Sequence, residues 1–136
     1  MSVAQEELLE LTGRHLREAF GELVKDAPGE AAFFIPLGRL GVRVEIEAIG
    51  DQQALVEVYS WVAQRIVVDD GLTDFLVRRN AGLRFGALCV DGEGDIIFRH
   101  ALFPDGAGKP VLRRLIEVMA DTADTLDEEI RSRFGG

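Results

Sequence analysis

Apolar residues in the first part of the chain recur at the spacing of one helix face. This pattern predicts an amphipathic helix from about Val3 to Lys25. Ser2 and Gln5 match a capping box, in which the two residues exchange side chain–backbone hydrogen bonds. We expect Pro28–Gly29 to end the helix. The apolar stripe consists of Leu9, Leu16, Phe20 and Leu23.

The next segment alternates between apolar and polar residues, which is the period of a β-strand. Three strands are predicted, at Ala32 to Leu37, Val42 to Ile49 and Leu55 to Val68, with turns at residues 38–41 and 50–53. The alternation is cleanest in the second strand, where one side carries Val42, Val44 and Ile46 and the other carries Arg43, Glu45 and Glu47.

The second half of the chain begins with a predicted helix near Gly71 to Arg79, which starts after Asp69–Asp70. Asn80 and Gly82 can both adopt a positive φ, and we expect them to end it. Two further strands follow, at Phe85 to Val90 and Ile96 to Phe103. The loop between them is rich in Asp and Gly and predicts a hairpin.

A last helix is expected to begin near Pro110 and to continue to Arg133, over roughly 34 Å. Because this exceeds what a five-stranded sheet of this size should cover, we expect its acidic end to overhang. Its acidic residues are expected to form a solvated face, namely Asp121, Asp124, Asp127, Glu128 and Glu129.

The predicted order of elements is α-βββ-α-ββ-α. Strands grouped in hairpins, with helices between the groups, are typical of an α+β fold with a single antiparallel five-stranded sheet and helices on one face. We expect residues 1–136 to form one domain.

The apolar pattern restricts how the strands pair, because a slip of one residue exchanges the two faces of a strand. A three-residue loop after the second strand pairs Val44 with Val58, whereas a five-residue loop pairs Ile46 with Val58. A turn at residues 38–41 brings three apolar pairs onto the core face: Leu37 with Val42, Ile35 with Val44, and Phe33 with Ile46.

Either loop length places several ring-bearing and charged residues on the opposite face of the sheet. Trp, Tyr and Arg are enriched at protein interfaces, so a second protomer or an extended peptide could cover them. A peptide could also add along an open strand edge. The alternative is that Arg43 or Arg65 covers the rings by cation–π contact, or that a helix does. The candidate interface residues are Phe34, Arg43, Glu45, Leu55, Tyr59 and Trp61.

The formal net charge of −9 limits the possible partners. Nucleic acid and anionic membranes repel an acidic surface, so we expect neither as a partner. The alternative meaning of the charge is that it keeps the protein soluble. The acidic N-terminus does not match a signal peptide, and a single cysteine suits a reducing compartment, so we expect a cytoplasmic protein.

The sequence contains no motif of an enzyme, a metal site or a cofactor site. The 91–95 segment lacks the later ligands of an EF-hand and favours a hairpin turn, and Gly108–Lys109 lacks the rest of a phosphate loop. His100 is expected to be hydrogen-bonded within the fold, and Cys89 to act as a small apolar residue. We therefore expect a protein that is not an enzyme, without metal or cofactor.

The segments Phe75–Asn80 and Leu83–Arg99, followed by the long acidic helix, resemble the YbjN family, whose fold is similar to type III secretion chaperones. The resemblance implies a TY-Chap-type, chaperone-like homodimer in the cytoplasm that binds an extended peptide of a client protein. It implies no catalytic residues, and structural roles for Asn80 and Gly86. The alternative function is a sensory or regulatory domain that binds a small molecule between the sheet and the first helix.

Overall fold

The computed structural model describes residues 1–135, in which three helices pack against one face of a six-stranded antiparallel sheet. The order of strands in the sheet is β1-β2-β3-β4-β6-β5. The predicted α+β fold is confirmed, but the sheet has six strands rather than the predicted five. The helices are α1 (Val3–Phe20), α2 (Asp70–Asn80) and α3 (Lys109–Phe134), and the strands are β1 (Lys25–Asp26), β2 (Ala32–Ile35), β3 (Val42–Ile49), β4 (Gln53–Val62), β5 (Ala87–Val90) and β6 (Ile96–Leu102).

The first helix is shorter than predicted. The capping box at Ser2 and Gln5 is confirmed, with both hydrogen bonds at 3.1 Å. The helix ends at Phe20 because Gly21 has a φ of +58°, a conformation that glycine adopts readily and that breaks the helical path. The chain then forms a short 3-10 helix and β1, which pairs with β2. The expected stop at Pro28–Gly29 is therefore wrong.

The pairing of β2 with β3 differs from the prediction by two residues. Ile35 lies opposite Val42 and Phe33 lies opposite Val44, because a longer loop joins the strands. Since the shift is even, every side chain keeps its predicted face. Between β3 and β4 the pair is Val44 with Val58, which selects the three-residue loop.

Strand β4 ends at Val62, six residues before the predicted end, because a distant acidic residue bonds to the chain there. Asp127 of α3 accepts a hydrogen bond from the Ala63 amide at 2.7 Å, and both Ala63 and Arg65 have positive φ. Asp127 is only 3 % exposed. The prediction that it belongs to a solvated face is therefore wrong.

The C-terminal part of α3 does not overhang, because α2 packs against it. The rings of Phe75 and Phe134 are 5.3 Å apart, and Arg79 forms an ion pair with Glu129 at 3.1 Å. Ile130 is completely buried. The sheet alone is too small to pack along all 26 residues of α3, and α2 provides the additional packing surface.

The core lies between the sheet and the helices. No helix within residues 1–135 is long and apolar enough to cross a membrane. The largest fully buried side chains come from all three helices and from β2, β3 and β6: Phe98, Leu16, Ile35, Ile46, Leu72, Ile96, Leu112, Ile116, Met119, Leu126, Ile130 and Val42.

Candidate functional site

The face of the sheet that is turned away from the helices, here called the outer face, carries all six candidate interface residues. The strand register places Phe34 opposite Arg43, and Arg43 opposite Tyr59. Each of the six is partly exposed. Within residues 1–135, none of them belongs to the core cluster: Phe34, Arg43, Glu45, Leu55, Tyr59 and Trp61.

The apolar part of the outer face is a small cluster of its own. The rings of Tyr59 and Trp61 meet edge to face, with centroids 5.2 Å apart. Trp61 lies opposite Ile97, and Ile97 lies opposite Cys89. Ile97 is only 6 % exposed although it lies outside the core cluster. We call Tyr59, Trp61, Ile97 and Cys89 the outer cluster.

The sequence did not indicate Ile97 or Cys89 as neighbours of Trp61, because nothing local specifies how β4 pairs with β6.

No cation of the described residues covers the rings of Tyr59 and Trp61. Within residues 1–135, the cation–π contacts join Arg17 to Phe33 and Arg133 to Phe75. The predicted alternative of a cover by Arg43 or Arg65 is therefore wrong.

Arg43 of the outer face is held by two carboxylates. Arg43 donates from Nε and Nη2 to one oxygen of Glu45, at 3.2 and 2.9 Å, and from Nη2 to Glu30 at 3.1 Å. Burial has the largest single effect on the pKa of Arg43 and lowers it. The hydrogen bonds to Glu45 and Glu30 and the nearby Tyr59 together outweigh burial, so the pKa of Arg43 is raised. Burial, with the nearby charge of Glu45, raises the pKa of Tyr59 to about 12. Tyr59 is therefore neutral at physiological pH.

Three glutamates form the acidic part of the outer face. Glu45 lies directly opposite Glu57, and Glu47 lies one position further along β3 on the same face. The nearest cation to Glu57 is Arg99, with Nη1 3.8 Å from its carboxylate. Burial raises the pKa of Glu57, and burial together with the neighbouring carboxyl of Glu45 raises the pKa of Glu47.

The free edge of the sheet at β5 is blocked. Asn80, the last residue of α2, accepts from the Leu88 amide at 2.7 Å and donates to the Leu88 carbonyl at 2.9 Å. These backbone groups would otherwise pair with an added strand. Asn80 has no positive φ, so the predicted mechanism of its helix stop is wrong. The suggestion of strand addition is not favoured at this edge.

Several concave surfaces lie on the helical side. A groove of about 510 Å³ runs between α3 and the end of β6, and its lining is mostly apolar. His100 at its wall accepts a hydrogen bond at Nδ1 from the Gly86 amide, 3.0 Å away, which confirms the expected bonding. A second hollow of about 460 Å³ lies beside α1. The groove residues are Phe85, His100, Leu102, Pro110, Val111, Arg114, Leu115 and Val118.

The described part of the chain offers little reactive chemistry. No group of three His, Cys, Asp or Glu side chains within residues 1–135 could hold a metal ion. Burial raises the pKa of the Cys89 thiol, so Cys89 is protonated at neutral pH and a poor nucleophile. What the outer face presents is a surface of rings and charges, which suits recognition.

The sequence matches the TY-Chap1 family, described as T3SS (YopN, CesT) and YbjN peptide-binding chaperone 1, over residues 6–136. The chain belongs to this family. TY-Chap1 is a family of peptide-binding chaperones rather than of enzymes. The match includes the first half of the chain, which contains none of the segments that resemble the YbjN family. A comparison with curated proteins finds no match.

Proposed function

We propose that this TY-Chap1 protein is a non-enzymatic, chaperone-like homodimer of the cytoplasm that holds an extended segment of a client protein on its outer face. The observation that carries the proposal is the outer cluster. Trp61 and Tyr59 are only half-buried, on a face that the helices do not cover. Rings placed in this way supply most of the binding energy at many protein interfaces.

The blocked edge determines how the client lies. Because Asn80 occupies the Leu88 backbone groups, main-chain pairing at β5 does not contribute to binding. The proposal therefore places the client against the side chains of the outer face rather than along the β5 edge. Phe34 adds an apolar side chain two strands away from Tyr59, beyond Arg43, and Leu55 adds one four residues along β4, beyond Glu57. Arg43 with Glu45 supplies hydrogen-bonding groups between them.

The test is a selection of binding peptides from a random library, followed by affinity measurements on variants. Trp61→Ala and Tyr59→Ala should each weaken binding by roughly thirtyfold. Phe103→Ala is the matched control, because Phe103 is an exposed aromatic residue outside the outer face, at 64 % exposure. Equal affinity of Trp61→Ala and wild type would contradict the assignment.

The homodimer is tested separately by light scattering. A single chain has a mass of 15.0 kDa, and the proposal predicts twice that mass in solution. The family resemblance supports the dimer. A protein that stays at the mass of one chain up to high concentration would contradict this part of the proposal and leave the peptide-binding part standing.

The second candidate function is the binding of a small apolar molecule. The observation that favours it is the groove between α3 and β6, because an apolar lining with a few polar groups, here His100 and Arg114, is typical of ligand pockets. Native mass spectrometry should then show a retained molecule that Val118→Trp, which fills the groove, excludes. Loss of that molecule in Trp61→Ala instead would contradict the groove as its site.

A further inference from the structure

We infer that two copies of this chain associate through an exposed side of α3, with the two helices antiparallel, and that Arg114 of each copy pairs with Asp121 of the other. The inference rests on the homodimer of the proposed function and names the surface that forms it. It is carried by an apolar stripe on α3, by the groove next to that stripe, and by the positions of the charges along the helix.

Helix α3 is apolar on more than the side that faces the core. A second row of side chains runs beside the buried one, at Val111, Leu115, Val118 and Thr122, and is here called the exposed stripe. Val111 is 48 % exposed and Val118 is 38 % exposed. The residues of the row are spaced by four, three and four positions, which is the spacing of a helix that packs along a second helix.

The groove between α3 and the end of β6 extends this apolar surface. Helix α2 packs against the C-terminal end of α3, where the ring of Phe75 meets that of Phe134, and the groove lies beside the N-terminal half of α3. Its volume is about 510 Å³, and Phe85 and Leu102 line it opposite the exposed stripe. An apolar surface of this kind is stabilised when another apolar surface removes it from water.

The charges of α3 favour a second copy of the chain as the partner. Basic residues occupy the beginning of the helix, at Lys109, Arg113 and Arg114, whereas every charged residue from 117 to 129 is acidic. Two α3 helices in antiparallel orientation bring the basic part of each copy beside the acidic part of the other. A parallel pair would bring like charges together instead.

The exposed stripe and the charges agree on one register. In an antiparallel pair, a step forward along one helix corresponds to a step backward along the other. If Leu115 lies against Val118 of the second copy, Val111 therefore lies against Thr122 of that copy. The same register brings Arg114 beside Asp121 of the second copy, at the margin of the contact, where charged residues determine the orientation of paired helices. Two-fold symmetry repeats this pair on the other side of the axis.

Both charges are available for such a pair. Within residues 1–135, neither Arg114 nor Asp121 forms an ion pair, whereas the neighbouring Arg113 lies 3.6 Å from Glu117. Arg114 and Asp121 are both exposed, and Arg114 lines the groove. Because an exposed ion pair contributes little to stability, the pair specifies the orientation of the helices, and the apolar surface drives their association.

The experiment measures the dissociation constant of the dimer by sedimentation equilibrium, with charge-reversed variants. Arg114→Asp and Asp121→Arg each place like charges together at both symmetric positions, and each should weaken the dimer by at least roughly tenfold. An equimolar mixture of the two variants should form a heterodimer about as tight as the wild-type dimer, because every reversed charge then meets its opposite. The variant that carries both substitutions should also dimerise like the wild type.

The matched control is Arg113→Asp. It makes the same change of charge in the same helix, but Arg113 lies on the side of α3 opposite the exposed stripe. This variant should dimerise like the wild type. A control that is weakened as much as Arg114→Asp would contradict the surface, because net charge alone would then explain the loss.

The possible failures are distinguishable. A wild-type protein that stays at the mass of one chain would overturn both this inference and the homodimer of the proposed function. A wild-type dimer that both single variants retain would overturn the α3 surface and leave the homodimer standing. Two weakened variants whose mixture does not associate would overturn the antiparallel register. A small molecule that occupies the groove of the intact dimer, and that Val118→Trp excludes, would assign the groove to the second candidate function instead.

Discussion

Replacing Asp127 by alanine should destabilise the protein far more than its position in an acidic helix suggests. Its carboxylate accepts from the Ala63 amide at 2.7 Å and from Arg131 Nε at 3.1 Å, and it lies 3.4 Å from Arg39 Nη2. Its side chain is 5 % exposed, whereas those of Arg131 and Arg39 are 38 % and 53 % exposed. The two guanidiniums can return to water, but the Ala63 amide cannot.

The magnitude follows from these three partners. An amide left buried without an acceptor costs about 1–3 kcal/mol, and Ala63 is only 2 % exposed. Each half-exposed ion pair adds about 0.2–1 kcal/mol. Asp127→Ala should therefore lower the free energy of unfolding by about 2–4 kcal/mol. Asp127→Asn keeps an acceptor for the amide and should lose about 1 kcal/mol.

Urea unfolding followed by circular dichroism measures these changes as shifts of the transition midpoint. Asp121→Ala is the matched control, because Asp121 is an exposed acid of the same helix. It should change stability by less than about 0.5 kcal/mol. If Asp127→Ala and Asp121→Ala were equally stable, the hydrogen bond from α3 to the chain after β4 would not be what ends that strand.

Two further substitutions test the sheet. Asn80→Ala removes both hydrogen bonds that block the β5 edge and should lower the free energy of unfolding by about 2 kcal/mol. The variant should also self-associate more than the wild type, which light scattering measures as a larger mass. An unchanged mass would contradict the blocking role of Asn80. Glu57→Gln removes a like charge opposite Glu45 and should raise stability at pH 7 by about 0.5 kcal/mol. Burial raises the pKa of Glu57 in the folded state, so protonation of Glu57 stabilises the fold. This contribution to the free energy of unfolding is complete below the ordinary glutamate pKa of about 4.3 and is lost as the pH rises through the raised value. The advantage of the variant in urea unfolding should therefore shrink as the pH is lowered, and a constant advantage would contradict this cause.

The sequence was sufficient where the periodicity is local and continuous. The alternation of β3 predicted its bounds and its two faces, and an even shift of β2 left Phe34 on the outer face as expected. The short strand β1 was missed because Lys25–Asp26 carries no apolar pattern, and only its pairing with β2 makes it a strand.

Long-range contacts explain most of the remaining differences. The end of β4 depends on Asp127, which is 64 residues away from Ala63, and no local signal marks it. The candidate site shows the same division. Tyr59 and Trp61 were predicted on one face from the period of their own strand. Ile97 joins them only through the pairing of β4 with β6, which the sequence did not specify.

The most direct test of the proposed function is the fluorescence of Trp61 while a peptide selected from a random library is bound. Trp61 is the only tryptophan in the chain and lies half-exposed at the centre of the outer cluster. A client segment on the outer face should shift the emission to shorter wavelength and protect the ring from acrylamide quenching. A peptide that binds tightly while both the emission and the quenching stay unchanged would place the binding site elsewhere and contradict the proposal.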